Sequence, residues 1–138
     1  MEITFNIIGV EFPDIQKDKI IQWVEKVARE FDKTVGKINY IFTDDAEILR
    51  VNREFLNHDY FTDIITFDYS KRRSISGDLF ISLDTVKSNA EQIKTDYDTE
   101  LHRVIIHGVL HLCGINDKGP GEREIMEKFE NEALEMLG

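Results

Sequence analysis

The residues best placed to do chemistry lie in one run, His107-Gly-Val-Leu-His111-Leu-Cys-Gly114-Ile-Asn-Asp117. Two histidines at i and i+4 on a helix stand about 40° apart around the axis, one turn of rise between them. Both imidazoles can therefore reach one ion from one face. Gly114 can end that helix in a left-handed cap and turn the chain back. Asp117 can then return a carboxylate to the same ion. Two His and one Asp leave a fourth position open, the pattern of a catalytic zinc rather than a closed structural one. The alternative is a chance pair of helical histidines satisfied by backbone carbonyls.

The run resembles the metal-binding helix of metalloproteases, with one difference. In H-E-x-x-H enzymes the Glu is the general base, and here Gly108 stands in its place. No general base is assignable from the sequence. Asn116 and Glu122 could neighbour the ion, but read more simply as a turn residue and a helix N-terminal acid. Cys113 is about 200° around from His111 and reads as a small apolar core residue. His102 is about 140° off the face of His107 and reads as a surface histidine or one orienting a ligand.

The surrounding elements must position these groups. Glu2 to Ile8 alternates as a half-buried strand. Pro13 and Asp14 look like a helix start, with Ile20, Trp23, Val24, Val27 and Phe31 at helical spacing. After Gly36, Lys37 to Thr43 reads as a second strand. Asp44 and Asp45 are N-caps for a helix over Ala46 to Phe55. Asp63 to Asp68 and Gly77 to Leu83 read as strands, with Ser70 to Ser76 a polar, basic, mobile loop between them. Asp84 opens a helix to about Ile93. Asp96 to Thr99 cap the histidine helix. Gly119, Pro120 and Gly121 turn the chain into a last helix, Glu122 to Leu137. Four strands and about five helices, ordered βαβα, ββ, then helices, predict an α+β domain.

Composition narrows the class. A chain of 138 residues without linkers or repeats fits a single domain over 1–138. One Cys excludes an internal disulfide framework and favours a reducing, cytoplasmic setting. The N-terminus lacks a signal-peptide pattern, and no apolar run is long enough to span a membrane. A net charge of -10 argues against a generic basic duplex binder. Part of that charge is the last helix, where Glu122 to Glu135 holds six acids against two bases.

Three ordered segments resemble the YbeY family of endoribonucleases, the bacterial rRNA maturation factors. HGVLHLCGIND, residues 107–117, resembles the family's H-G-x-L-H-L-x-G-Y-D-H. VNREFLNHDYFTDIITF, residues 51–67, resembles L-N-x-x-Y-R-x-K-D-x-P-T-D-V-L-S-F. Gly77-Asp-Leu-Phe-Ile-Ser82 resembles its Gly-Asp-hydrophobic-Ile-Ser strand. The family's third metal histidine falls on Asp117, the Asp before it on Asn116, its Arg on Leu56 and its Pro on Phe61. Asp is a competent zinc ligand. An apolar residue at position 56 cannot supply the Arg's bidentate fork.

The resemblance implies an α+β fold with a mixed four-stranded sheet. It implies one zinc ion on His107, His111 and Asp117. It further implies a single-strand-specific endoribonuclease that acts on small-subunit rRNA 3′ ends, in ribosome biogenesis and quality control. The expected partners are single-stranded rRNA and the small ribosomal subunit. Asp63, Asp78 and His58 could orient ligands or substrate; strand-end caps and a surface loop residue are the alternatives. Lys71, Arg72 and Arg73, the one basic cluster, could meet an RNA backbone or simply be solvated. Two other functions stay open: a zinc hydrolase of another substrate class, peptide bonds included, and a non-catalytic ribosome-associated protein with a structural zinc.

Overall fold

The computed structural model describes residues 1–137. The elements follow the order β1 (Glu2–Ile7), α1 (Lys17–Glu30), β2 (Thr34–Thr43), α2 (Asp45–Phe55), β3 (Ile64–Asp68), β4 (Ser74–Ser82), α3 (Leu83–Gln92), α4 (Tyr97–Leu112) and α5 (Glu122–Leu137). The strands form one mixed sheet, ordered β1-β2-β4-β3. β1 and β4 run parallel to β2, and β3 runs antiparallel to β4. Among the described residues this is the α+β architecture, with a four-stranded mixed sheet and five helices, that the sequence predicts.

The strand period of two divides the apolar residues between the sheet's faces. Ile3, Ile38, Tyr40, Phe42, Leu79 and Ile81 join α1, α4 and α5 in the main core. Ile65, Phe67 and Phe80 point the other way and pack on Ile48 and Val51 of α2. α4 lies within the main core, with Leu101, Val104, Ile105, Ile106, Val109 and Leu110 all buried. Two polar ties place the helices that build the site. The buried Tyr40 hydroxyl donates to the carbonyl of Ile105 at 3.0 Å, pinning α4 to β2 two residues before His107. The Trp23 indole donates to the carbonyl of Ala133 at 2.7 Å, pinning α5 to α1.

Four local expectations change. α1 begins at Lys17 rather than at Pro13, because Pro13 instead closes a turn with the amide of Ile15. β2 begins at Thr34, ahead of Gly36. At Gly36 the β2–β4 register shifts, and a β-carbon there would collide with the Ser74 and Ser76 hydroxyls. α3 is capped by Ser82, whose hydroxyl accepts from the Thr85 amide, so Asp84 sits inside its first turn. The expected mobile loop at 70–76 is a tight hairpin. The amides and carbonyls of Lys71 and Ser74 exchange two bonds of 2.9 Å, with Arg72 in the left-handed region at φ 54°.

Candidate metal centre

α4 starts where Asp96 accepts the amide of Thr99 at 2.7 Å. His107 and His111 project from one face, their ring centroids 4.6 Å apart. Beyond His111 the helix ends in a Schellman motif. The Ile115 amide bonds the Leu110 carbonyl and the Gly114 amide bonds the His111 carbonyl, with Gly114 at φ 100°. That reversal returns Asp117 to the histidines.

Asp117 Oδ2 lies 3.3 Å from His107 Nε2 and 3.3 Å from His111 Nε2. All three donor atoms fall within 4.8 Å of one another, so the group could hold a metal ion. The donor set fits zinc. Nitrogen and oxygen ligands about 2.0–2.1 Å from a tetrahedral ion stand about 3.3–3.4 Å apart. The triad lines an open cavity of 590 Å³, which leaves room for a further ligand.

Glu130 of α5 completes the arrangement. Its Oε2 accepts from His107 Nδ1 at 2.6 Å, which leaves Nε2 free to face Asp117. Its Oε1 accepts from Arg103 at 2.9 Å, and Arg103 also reaches Asn131. Burial opposes protonation of His107, but Glu130, Asp63 and Asp117 outweigh it and hold its pKa above the ordinary value. Burial and the neighbouring His107 push His111 below it. Burial raises the carboxyl of Asp63, and burial with Asp63's charge raises that of Glu100. Glu100, Arg103, His107 and His111 form one polar stripe along α4. Its spacing is visible in the sequence, although only the two histidines stand out there. Glu130 has no such signal, because α5 meets α4 only through tertiary packing.

The expected residues divide by position. Asp63, at the start of β3, lines the triad's cavity and faces His107. His58 also lines that cavity. Asp78 is not brought there. It shares the α2-facing side of β4 with Phe80 and faces Tyr69. His102 lies on the α1 side of α4, against Trp23 at 6.0 Å and bonded to the Asp98 carbonyl. Cys113 is buried, and burial pushes its thiol up to about 11. Asn116 lies exposed on the cavity wall, and Glu122 accepts the Gly119 amide at 2.6 Å, closing the turn into α5. Lys71, Arg72 and Arg73 are exposed on the hairpin. Arg73 is 3.4 Å from Asp32, and its carbonyl accepts the Thr34 amide.

Gly108 explains the missing glutamate. A β-carbon there would stand 2.9 Å from Ile64 and 3.0 Å from Leu79. This turn of α4 lies too close to the sheet for a long side chain.

The fold and triad define a mixed-sheet α+β domain with a three-donor group, able to hold a metal ion, open to a cavity. A family model described as endoribonuclease YbeY matches residues 8–138. A protein of that name from Bacteroides thetaiotaomicron is 61% identical over 136 residues, covering 99% of both chains. One from Phocaeicola vulgatus is 63% identical over 135 residues, covering 98% of both. The solution structure of a Thermotoga maritima protein matches with a TM-score of 0.67 at 24% identity, covering 96% of this chain and 88% of that one. The chain belongs to the YbeY endoribonuclease family.

Proposed function

We propose that residues 1–138 form one domain that acts as a zinc-dependent endoribonuclease on single-stranded RNA. Its place is the cytoplasm, in small-subunit rRNA 3′-end maturation, ribosome biogenesis and quality control. The observation that carries this reading is the convergence of His107, His111 and Asp117 on one point of an open cavity, in a chain of this family.

One zinc ion held by those three residues would acidify water and polarise a phosphoryl oxygen. The chain's own groups set the stage. Glu130 fixes the His107 tautomer and ring direction. Asp63 and His58, on the cavity wall, position the substrate. β3 supplies part of that wall through Asp68, and the hairpin carrying Lys71, Arg72 and Arg73 follows directly. Those cations meet the RNA backbone beyond the cut.

The net charge of -10 weakens attraction to free RNA. The small ribosomal subunit is therefore the partner that delivers the strand. The single free, buried Cys113 suits a reducing compartment. No helix among the described residues is long and apolar enough to cross a membrane. A peptide-hydrolase reading lacks its usual base, since Gly108 has no room for a glutamate. A structural zinc is disfavoured because the triad supplies three ligands rather than four.

The test joins metal analysis to cleavage of single-stranded RNA and of casein. One bound zinc with RNA cleavage and no proteolysis is expected. RNA left intact by the zinc-loaded chain, alone and with small subunits, would overturn the proposal.

A further inference from the structure

The connection from α2 to β3 carries an aromatic pair that the metal chemistry does not use. Tyr60 stacks on His58 with ring centroids 5.2 Å apart and planes 22° apart. The Tyr60 hydroxyl lies 3.0 Å from His58 Nδ1. Tyr60 remains 48% exposed, so its ring presents a free face to the cavity. The loop beneath it is held in shape. Buried Asn52 donates its side-chain amide to the Tyr60 carbonyl at 2.9 Å. The Asn52 carbonyl accepts the amides of Leu56 at 3.1 Å and His58 at 3.0 Å. Asn57 takes the left-handed turn between them.

Both rings line the cavity that holds His107, His111 and Asp117. The wall around them is poor in cations. Leu56 contributes an apolar side chain, and Arg53 is paired with Asp59. Lys118 is the one lysine or arginine lining this cavity among the described residues. A wall of this kind suits a flat apolar group rather than a phosphate. Aromatic side chains stack nucleobases without regard to sequence, because every base has a π-face. Bases within a duplex are already stacked on each other, so only an unpaired nucleotide can offer one.

We propose that Tyr60, backed by His58, is a stacking platform for one unpaired nucleobase beside the metal centre. This rests on the ribonuclease reading and adds a structural source for single-strand preference. Because stacking involves no charge, its contribution persists at high salt.

The test uses the full zinc-loaded chain and an uncleavable 2′-O-methyl phosphorothioate hexanucleotide, with binding followed by anisotropy. Tyr60→Ala weakens binding about 5- to 100-fold, equally at low and high salt, while Tyr60→Phe and Tyr60→Trp stay within about threefold of the parent. An abasic nucleotide at one position costs the parent a similar factor and costs Tyr60→Ala nothing further. 2-Aminopurine at that position is quenched by the parent and not by Tyr60→Ala. Equal affinities for the parent and Tyr60→Ala would overturn the platform. So would a Tyr60→Ala loss that adds in full to every abasic loss, as when a peptide or another group occupies the wall. If Tyr60→Ala does not fold, Tyr60→Leu with the same abasic series decides. Cleavage of ordinary RNA separates the two ideas. Cleavage with a failed platform signature sinks this inference alone, and the platform signature without cleavage sinks the ribonuclease reading alone.

Discussion

Glu130 accepts a 2.6 Å hydrogen bond from His107, and the two residues come from different helices, 23 positions apart. The bond occupies Nδ1 and turns Nε2 toward Asp117, 3.3 Å away. A carboxylate on the far nitrogen also makes the imidazole a better electron donor to a metal. Arg103 holds the other oxygen of Glu130, so the carboxylate cannot swing away freely.

Glu130→Gln should therefore weaken zinc binding without unfolding the chain. A loss of about 10- to 100-fold is expected, the range found when a ligand's supporting carboxylate is removed. Competition titration with a chromophoric chelator measures it. An unchanged affinity would mean that packing alone orients His107.

Replacing both histidines, His107→Ala with His111→Ala, should abolish stoichiometric zinc and RNA cleavage together. Circular dichroism should stay near that of the parent, because the core around α4 is built from Leu101, Ile105, Val109 and their neighbours. Full cleavage by the metal-free double variant would remove the metal from the mechanism.

The raised pKa of His107 predicts a pH dependence for metal binding. Ligation needs Nε2 unprotonated, so zinc affinity should begin to fall at a pH above the ordinary imidazole value. His111, whose pKa is lowered, titrates at lower pH and steepens the fall there. Glu130→Gln should move the onset of the fall downward. For the metal-free chain the His107 contribution has the opposite sign. Its folded pKa exceeds the unfolded one, so its stabilisation is fully present below about pH 6.5 and is lost as pH rises through the folded value. Zinc titrations and chelator-treated thermal melts across pH 5.5–8.5 on the order of half-unit steps would read both effects. A flat affinity profile would refute the assignment.

Gly108 tests the packing under the metal helix. Gly108→Glu places a carboxylate against Ile64 and Leu79 and should cost more than about 3 kcal/mol. Gly108→Ala should be milder, within about 2 kcal/mol, since a gain of about 1 kcal/mol in helix propensity offsets the crowding. Urea unfolding of the metal-free chain gives both values. A stable Gly108→Glu chain would show that α4 can lift off the sheet.

The basic hairpin can be tested through salt. Lys71→Ala combined with Arg72→Asn removes two exposed charges, and asparagine tolerates the left-handed backbone at position 72. If both side chains contact phosphates, the slope of log affinity against log salt should shrink by about 1.4, or 0.7 for each contact on a single strand. An unchanged slope would return the hairpin to plain solvent exposure.

The candidate triad was legible because its members are local. His107 and His111 are related by helix geometry, and Asp117 is tied to them by one glycine turn. Alternation and caps likewise revealed most elements, as at Asp44, Asp96 and the 119–121 turn. The hairpin at 70–76 was not legible as an ordered turn. Its polar composition is that of a loop, and its order comes from Tyr69 and Lys71 pairing with the first residues of β4, Ser74 and Ser76, and from the Arg73 carbonyl accepting the Thr34 amide. Asp78 misled for a related reason. Alternation predicts that it opposes Leu79, but only the sheet shows which face meets α4.

By itself, the sequence determined the α+β class, the family and the candidate triad of His107, His111 and Asp117, because periodicity, caps and ordered motifs are properties of short segments. Tertiary structure alone decided that Glu130 and Arg103 support His107. It also decided that Asp63 and His58 reach the cavity while Asp78 does not, and that Gly108 must remain bare. Each of those depends on where one element lies against another. That placement comes from the burial of several elements at once and from two buried polar ties, Tyr40 to Ile105 and Trp23 to Ala133.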